Sequence, residues 1–312
     1  METKNLLLTS IGAKLPLIQK VRHAIQKFDP SISLVGTDCD SNPIGRHFVD
    51  IFWQMPPLAE MTLEILLEYC YSHSIGYIIP TRDGDLIWFS KIKEVLREHQ
   101  IFVFVSNERS VSLCHDKWDF FQSLASPHLI QTALNIDTLH VPSYVVKERF
   151  GAGSNDLLVN APYEKAKAFA QTLQSPIFQP FIEGEEYSVD SYITQQGKHI
   201  GSIVRLRELV VNGESKITCY KDDPEITHVV EELITILGLS GHILTQVIRN
   251  DQGIHIIECN ARFGGASTLS YTMGLESFYW FLQECHNQTI HFSKRTDIIR
   301  QIRGEQDFYF GY

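Results

Sequence analysis

The sequence lacks several of the patterns by which common protein sites are recognised. Its six cysteines form no Cys-x-x-Cys pair and its thirteen histidines no His-x-x-x-His pair, so neither a disulfide framework nor a zinc site is predicted. No run of about 18 apolar residues is available for a membrane span. The net charge of −10 argues against a nonspecific surface for nucleic acid or anionic membrane.

The N-terminal segment has only a short apolar run, with no small-residue cleavage site after it. We interpret it as a first strand rather than a signal peptide. Together with the unpaired cysteines, this segment predicts a soluble cytoplasmic protein with reduced thiols.

Two phosphate-binding signatures are also missing. The dinucleotide fingerprint Gly-x-Gly-x-x-Gly is absent, because only Gly12 follows the first apolar run, and no Gly-Lys-Ser/Thr sequence opens a helix. Any nucleotide site must therefore be built from other residues.

The first third of the chain alternates apolar runs with segments of helical period, which predicts a parallel, doubly wound sheet. The predicted strands cover residues 5–12, 31–36, 76–80 and 101–105, and the predicted helices cover 15–28, 62–71 and 85–99. Ligands bind such sheets at the carboxyl ends of the strands. The polar residues at these ends are Thr9, Ser10, Asp38, Asp40, Arg82 and Asp83. Either a substrate-contacting layer or a purely structural one fits this pattern.

The last third predicts antiparallel strands with flanking helices. A hairpin is expected from 187–193 and 200–206, a helix over 224–237, and a second hairpin that joins strand 240–248 to the strand after Gly253. The second hairpin places Gln246 opposite Glu258. An aromatic-rich helix over 277–285 fits the core better than a cofactor site.

The strand after Gly253 ends in a polar series. Side chains alternate along a strand, so Glu258, Asn260 and Arg262 share one face. A carboxylate and an amide oxygen suit Mg²⁺, and the arginine suits a transferring phosphoryl group. The alternative is an exposed strand face carrying a local Glu–Arg ion pair.

Two lysines occupy positions suited to an anion. Lys117 lies in the first turn of a predicted helix capped by Asp116, where a positive charge opposes the helix dipole. Lys147 ends a short strand before Gly151 and Gly153, a loop that can approach phosphates. The alternatives are a solvated lysine and an ordinary hairpin.

Four motifs occur in one order: Asp116-Lys117, the segment 146–154, the segment 181–190 and the segment 257–265. Together they resemble the ATP-grasp superfamily, and within it the synthetase half of the carbamoyl-phosphate synthase large chain and its small stand-alone relatives. The likeness runs nearly from end to end.

This resemblance implies three domains in an α/β and α+β ATP-grasp fold. They are a Rossmann-like pre-ATP-grasp domain over residues 1–112, a lid over 113–184 and a C-terminal antiparallel domain with the metal site over 185–312. ATP would be clamped between the last two.

The resemblance also implies roles by motif position. Arg262 and Lys147 would be catalytic, and Gln246, Glu258 and Asn260 would hold Mg²⁺, or Mn²⁺ in its place. The implied ATP-binding residues are Lys117, Lys147, Gly151, Gly153, Ser154, Gln179, Phe181, Ile182 and Glu186. Arg205 and Arg207 are candidates for a substrate carboxylate or the γ-phosphate; the alternative is that both are surface arginines.

The chain departs from the family pattern at three positions. Gln179 stands where relatives often have an acid, which bears on base preference. Glu148 and Ala261 replace a usual proline, which bears on loop stiffness. With one ATP-grasp unit and no glutaminase domain, a complete carbamoyl-phosphate synthase is not expected.

The implied activity is that of an ATP-dependent ligase, which activates a carboxylate as an acyl-phosphate and joins it to an amine. The alternatives are an inactive ATP-binding sensor or assembly protein, and one half of a two-subunit carbamoyl-phosphate-type synthetase. The expected partners are small-molecule substrates, with neither nucleic acid nor membrane. The oligomeric state stays open, with a homodimer as the working expectation.

Overall fold

The computed structural model describes residues 4–151 and 156–310, and the described chain forms three sheets that follow one another in sequence. The first is a five-stranded parallel sheet of order β3-β2-β1-β4-β5. Its elements are β1 (Asn5–Leu8), α1 (Leu15–Phe28), β2 (Leu34–Asp38), β3 (Ile51–Gln54), α2 (Leu63–Ser72), β4 (Ile75–Ile79), α3 (Asp83–Glu98) and β5 (Phe102–Val103).

Strand β1 shows why this sheet forms. Leu7 packs into one hydrophobic core, and Leu6 and Leu8 into the other, because successive side chains of a strand point to opposite faces. All three are fully buried. A strand covered on both faces has the continuous apolar run seen in the sequence.

Two strands differ from the sequence prediction. Strand β3 is absent from that prediction, because its residues are exposed or half-buried at the sheet edge and form no buried run. Strand β5 is limited to Phe102–Val103, at the other edge, where it pairs only with β4. The ends of helix α1 are as predicted.

The middle of the chain opens with two short helices, α4 (Glu108–His115) and α5 (Lys117–Ser123). The break falls at Asp116, whose carboxylate accepts the amides of Trp118 and Asp119 at 3.0 and 3.1 Å and so caps α5, as predicted. An antiparallel sheet of order β7-β6-β8 follows. It comprises β6 (Tyr144–Glu148), β7 (Leu157–Ala161), α6 (Tyr163–Ala170) and β8 (Pro176–Pro180).

The third sheet is six-stranded, has order β13-β12-β9-β10-β11-β14 and is antiparallel at every pairing that the structure describes. Its elements are β9 (Glu185–Ile193), β10 (His199–Val211), β11 (Glu214–Lys221), α7 (Pro224–Leu237), β12 (Gly241–Asn250), β13 (Gly253–Asn260), α8 (Thr268–Thr272), α9 (Ser277–Cys285) and β14 (Arg300–Ile302). Asn212 and Gly213 make the β10–β11 turn with φ of 50° and 75°, a conformation that these residue types tolerate best.

The α/β and α+β fold class is confirmed by this arrangement. Among the residues that the structure describes, no helix is long and apolar enough to cross a membrane.

Candidate functional site

A cleft brings together residues from all three parts of the chain. Asp83 and His115 reach it from α3 and α4, Lys117 and Gly151 from the middle segment, and Glu258 and Asn260 from β13. The cleft therefore lies where the carboxyl edge of the parallel sheet faces the polar end of β13.

The predicted metal ligands lie next to one another. Gln246 on β12 is opposite Glu258 on β13, and the Asn260 amide donates to the Glu258 carboxylate at 3.0 Å. Cys259 and Ala261, on the other face, are buried, which is the predicted alternation. One carboxylate and two amide oxygens thus come together at a strand end.

These residues fit Mg²⁺ by their donor chemistry. Mg²⁺ takes hard oxygen ligands and is often bound by one or two protein groups together with substrate phosphates. In the described ranges no group of three or more His, Cys, Asp and Glu residues could hold a metal. The set here is of a different kind, because it has one carboxylate and two amide side chains. Gln246 is engaged by Arg207, whose Nη1 donates to its Oε1 at 2.8 Å. Glu258 and Asn260 are the better placed pair.

The two predicted phosphate lysines share one electrostatic environment. Burial lowers the pKa of Lys147 to about 8; Glu258 and Glu186 oppose this shift, and Lys117 adds to it. Lys147 is 9% exposed, whereas Lys117 lies in the cleft and donates from Nζ to the Gly151 carbonyl at 2.5 Å. Two neighbouring ammonium groups, one of them buried, suit an anionic ligand that bears several charges. Gly153 and Ser154 lie outside the described residues.

Arg262 pairs with a residue 179 positions away. Its Nε donates to Asp83 Oδ1 at 2.5 Å and its Nη2 to Oδ2 at 3.3 Å. The guanidinium of Arg262, which follows β13, therefore binds the first residue of α3 through two hydrogen bonds. Burial opposes ionisation at both groups, yet their mutual attraction keeps the pKa of Asp83 low and raises that of Arg262. The alternative of a local Glu258–Arg262 ion pair on an exposed strand is wrong.

Arg207 connects two predicted ligand groups. Its Nη1 makes an ion pair with Glu186, the predicted ribose contact, and also donates to Gln246. Its other nitrogens donate to the Ser215 hydroxyl at 2.8 Å and the Gly213 carbonyl at 2.7 Å. Burial raises the pKa of Glu186, and Arg207 opposes that shift. Arg207 is therefore not a surface arginine, and its predicted ligand contact stays a prediction.

Arg205 lies in the core rather than on the cleft wall or the surface. It is 1% exposed and donates from Nε to the fully buried Asp190 at 2.6 Å and to Ser270 at 3.1 Å. Its Nη1 is buried with no partner in the described part of the chain. Arg205 is not among the residues that line the cleft, and its predicted substrate contact stays a prediction.

The predicted adenine hinge follows β8. Gln179 is buried and donates to the Thr132 hydroxyl at 2.8 Å, and the Phe181 amide donates to the Ser143 carbonyl at 3.0 Å. The Ile182 amide has no backbone acceptor among the described residues. The predicted base contacts of Gln179, Phe181 and Ile182 stay predictions.

Sequence reasoning missed two cations near this region. Lys14 precedes α1 and donates to the Thr81 hydroxyl and carbonyl at 2.7 and 3.3 Å, and burial lowers its pKa to about 8. Arg303 reaches the loop after Arg262 from the C-terminal segment. Neither lies in a recognisable motif, and only the chain fold brings them close.

Residues 114–266 match the ATP-grasp domain family, and residues 6–104 match the PylC-like N-terminal domain family, so the two matches together cover most of the chain. The chain therefore contains an ATP-grasp domain over residues 114–266, and the predicted resemblance to the ATP-grasp superfamily is confirmed. No functionally curated protein is significantly similar in sequence.

Several solved structures share the fold. N5-carboxyaminoimidazole synthetase of Staphylococcus aureus, complexed with ADP, has a TM-score of 0.74 at 14% identity over 94% of this chain and 79% of its own. Biotin carboxylase of Campylobacter jejuni has a TM-score of 0.71 at 13% identity over 92% and 72%. L-amino acid ligase of Bacillus licheniformis has a TM-score of 0.68 at 16% identity over 91% and 74%.

Proposed function

We propose that this chain is an ATP-dependent carboxylate–amine ligase of the carbamoyl-phosphate-synthase-like type. It would phosphorylate a substrate carboxylate with ATP to give an acyl-phosphate and ADP. An amine would then displace phosphate and form an amide-type bond. Domains over 1–112, 113–184 and 185–312 would supply a substrate layer, a lid and the metal-bearing half.

One observation carries this proposal. Lys117, Glu186 and Glu258 come from three separate segments of the chain, yet all three lie within electrostatic range of the buried ammonium group of Lys147, which comes from a fourth. A buried charge is found where it is paired or where it serves a ligand. Here they follow the order of a phosphate-binding and metal-binding set.

Phosphoryl transfer depends mainly on positioning and charge neutralisation, so no general base is needed for the first step. Lys117 and Lys147 would neutralise the charge of the phosphates. Arg262 would release Asp83 and bind the transferring phosphoryl group. Bound Mg²⁺ at Glu258 and Asn260 would supply charge stabilisation to the phosphate oxygens. Gly151 and its loop would exclude water from the acyl-phosphate.

The names of similar structures support the class of reaction. One solved structure of this fold is a synthetase complexed with ADP, and another is an amino acid ligase. Their identities of 14% and 16% leave the substrates of this chain to experiment.

The test is ADP formation from Mg·ATP against a panel of amino acids and small carboxylates, each alone and with an amine donor. Pair-dependent ADP formation in the wild type, lost in Glu258→Gln, supports the ligase. This variant keeps the shape of the side chain and removes its charge. ATP binding without any pair-dependent turnover would favour the sensor, and turnover that requires a second ATP-grasp chain would favour the two-subunit synthetase.

A further inference from the structure

The short C-terminal strand β14 presents alternate side chains to opposite sides. Arg300 and Ile302 point outward: Arg300 pairs with Glu208 at 2.6 Å with its side chain 59% exposed, and Ile302 is 73% exposed. Gln301 and the following Arg303 point toward the loop after Arg262. The strand therefore delivers two polar side chains to that loop.

Both inward side chains have defined positions. Gln301 donates from Nε2 to the buried Thr268 hydroxyl at 2.6 Å, and the Arg303 amide donates to the Lys216 carbonyl at 2.9 Å. A β-carbon on Gly265 would lie 3.3, 3.4 and 3.6 Å from Nη2, Nη1 and Cζ of Arg303. The two terminal nitrogens of Arg303 therefore lie against Gly265, and a β-carbon there would require the arginine side chain to shift slightly.

The charge of Arg303 is poorly compensated. Its contacts in the described chain are both long: Nη1 lies 3.4 Å from Glu214 Oε2 and 3.4 Å from the Ser215 carbonyl. Glu214 is closer to Lys216, at 2.9 Å. A guanidinium carries five donors in a planar fork that matches a carboxylate in two parallel hydrogen bonds. The Arg303 side chain is 23% exposed, so such a ligand could reach it.

Arg303 lies beside the groups assigned to the reaction. Gly265, which it covers, follows Arg262 by three residues. Ser215, whose carbonyl it contacts, accepts a hydrogen bond from Arg207 through its hydroxyl. Arg303 is thus close to the loop that follows Arg262 and to Ser215, which binds Arg207.

We propose that Arg303 binds a carboxylate of the small-molecule substrate through its guanidinium fork and so helps to select carboxylate-bearing substrates. This inference rests on the proposed ligase function. Gly265 leaves room for this guanidinium, because a side chain there would crowd it.

The test compares Arg303→Gln and Arg303→Lys with the matched control Arg300→Gln on the outward side of the same strand. The readouts are the KM for each active carboxylate of the panel, the KM for ATP, and the affinity for a non-hydrolysable ATP analogue. We expect Arg303→Gln to raise the carboxylate KM at least tenfold, with both ATP readouts unchanged. Arg303→Lys should recover only part of the loss, since lysine lacks the planar fork.

A second variant tests the same contact in case Arg303→Gln does not fold. Gly265→Val leaves Arg303 in place but crowds its guanidinium, and Gly304→Ala is its control, because a β-carbon at Gly304 meets nothing within 4 Å. We expect Gly265→Val to raise the carboxylate KM and Gly304→Ala to leave it unchanged.

The outcomes separate the two proposals. Carboxylate-dependent turnover in the wild type with unaltered carboxylate KM in Arg303→Gln overturns the inference and leaves the ligase intact. A parallel rise in the ATP KM assigns Arg303 to the nucleotide and also overturns it. Absence of any carboxylate-dependent turnover in the wild type overturns the ligase and the inference together.

Discussion

Replacing Asp190 by asparagine should destabilise the protein more than any surface charge change. Asp190 is fully buried and accepts hydrogen bonds from Arg205 at 2.6 Å, Ser270 at 2.5 Å, His242 at 3.0 Å and Ser267. Burial opposes its ionisation, but Arg205 and His242 hold the pKa of this carboxyl well below its usual range. The asparagine side chain would carry no charge and would turn an amide donor toward groups that also donate.

The expected magnitude follows from the burial of the partner left behind. Arg205 is 1% exposed, so the variant would leave a buried guanidinium uncompensated. Removing one partner of a buried ion pair costs about 3–5 kcal/mol. At about 2–4 °C per kcal/mol for a chain of this size, the Tm should fall by roughly 6–20 °C. Because the folded-state pKa is lowered, the stabilisation is present at neutral pH and is lost only as the pH falls through the acidic range.

The assay is thermal and urea unfolding of the wild type and Asp190→Asn, with Asp297→Asn as the control. Asp297 pairs with Arg295 at 2.7 Å, but both side chains are more than half exposed, so the loss of this ion pair should change the stability little. Adding Arg205→Met should make Asp190→Asn less costly, because no buried charge is then left unpaired. An Asp190→Asn loss no larger than the control would refute the reasoning.

Three further predictions concern the site. Because burial lowers the pKa of Lys147 to about 8, its ammonium form, present at lower pH, is lost as the pH rises through 8, so ATP affinity should decline there. Titration calorimetry should show that ATP affinity depends less on pH in Lys147→Arg and depends on pH as in the wild type in Lys14→Gln. A wild-type ATP affinity that does not change between about pH 7 and about pH 9.5 would contradict the assignment. Glu258→Gln should lower turnover at least about 100-fold with an unchanged Tm, measured by ADP formation and thermal unfolding; near-normal turnover would remove it from the site. Arg262→Lys should lower turnover at least about tenfold, since lysine cannot form the two-pronged contact seen with Asp83; unaltered kinetics would make Arg262 a structural residue.

The sequence by itself determined much of the local structure. Helices α1, α7 and α9 begin and end where their apolar period indicates. Alternation along β13 placed Glu258 and Asn260 on one face, and the turn at Gly253 set Gln246 opposite Glu258. These properties depend on neighbours a few residues apart, so a single sequence contains them.

The tertiary structure alone decided which charged groups meet. Arg262 contacts Asp83 across 179 positions, and Arg207 lies between Glu186 and Gln246, because the order of strands in the sheets brings those segments together. Arg205 and Arg207 are two residues apart on one strand, yet Arg205 is buried in the core whereas Arg207 contacts Glu186, a predicted ligand group. The sequence did not indicate a role for Arg303, because the three-residue strand β14 that precedes it is too short to show a period. The direction of the Arg303 side chain follows from the pairing of β14 with β11. Local periodicity fixes the face of a side chain, whereas long-range pairing fixes its partner.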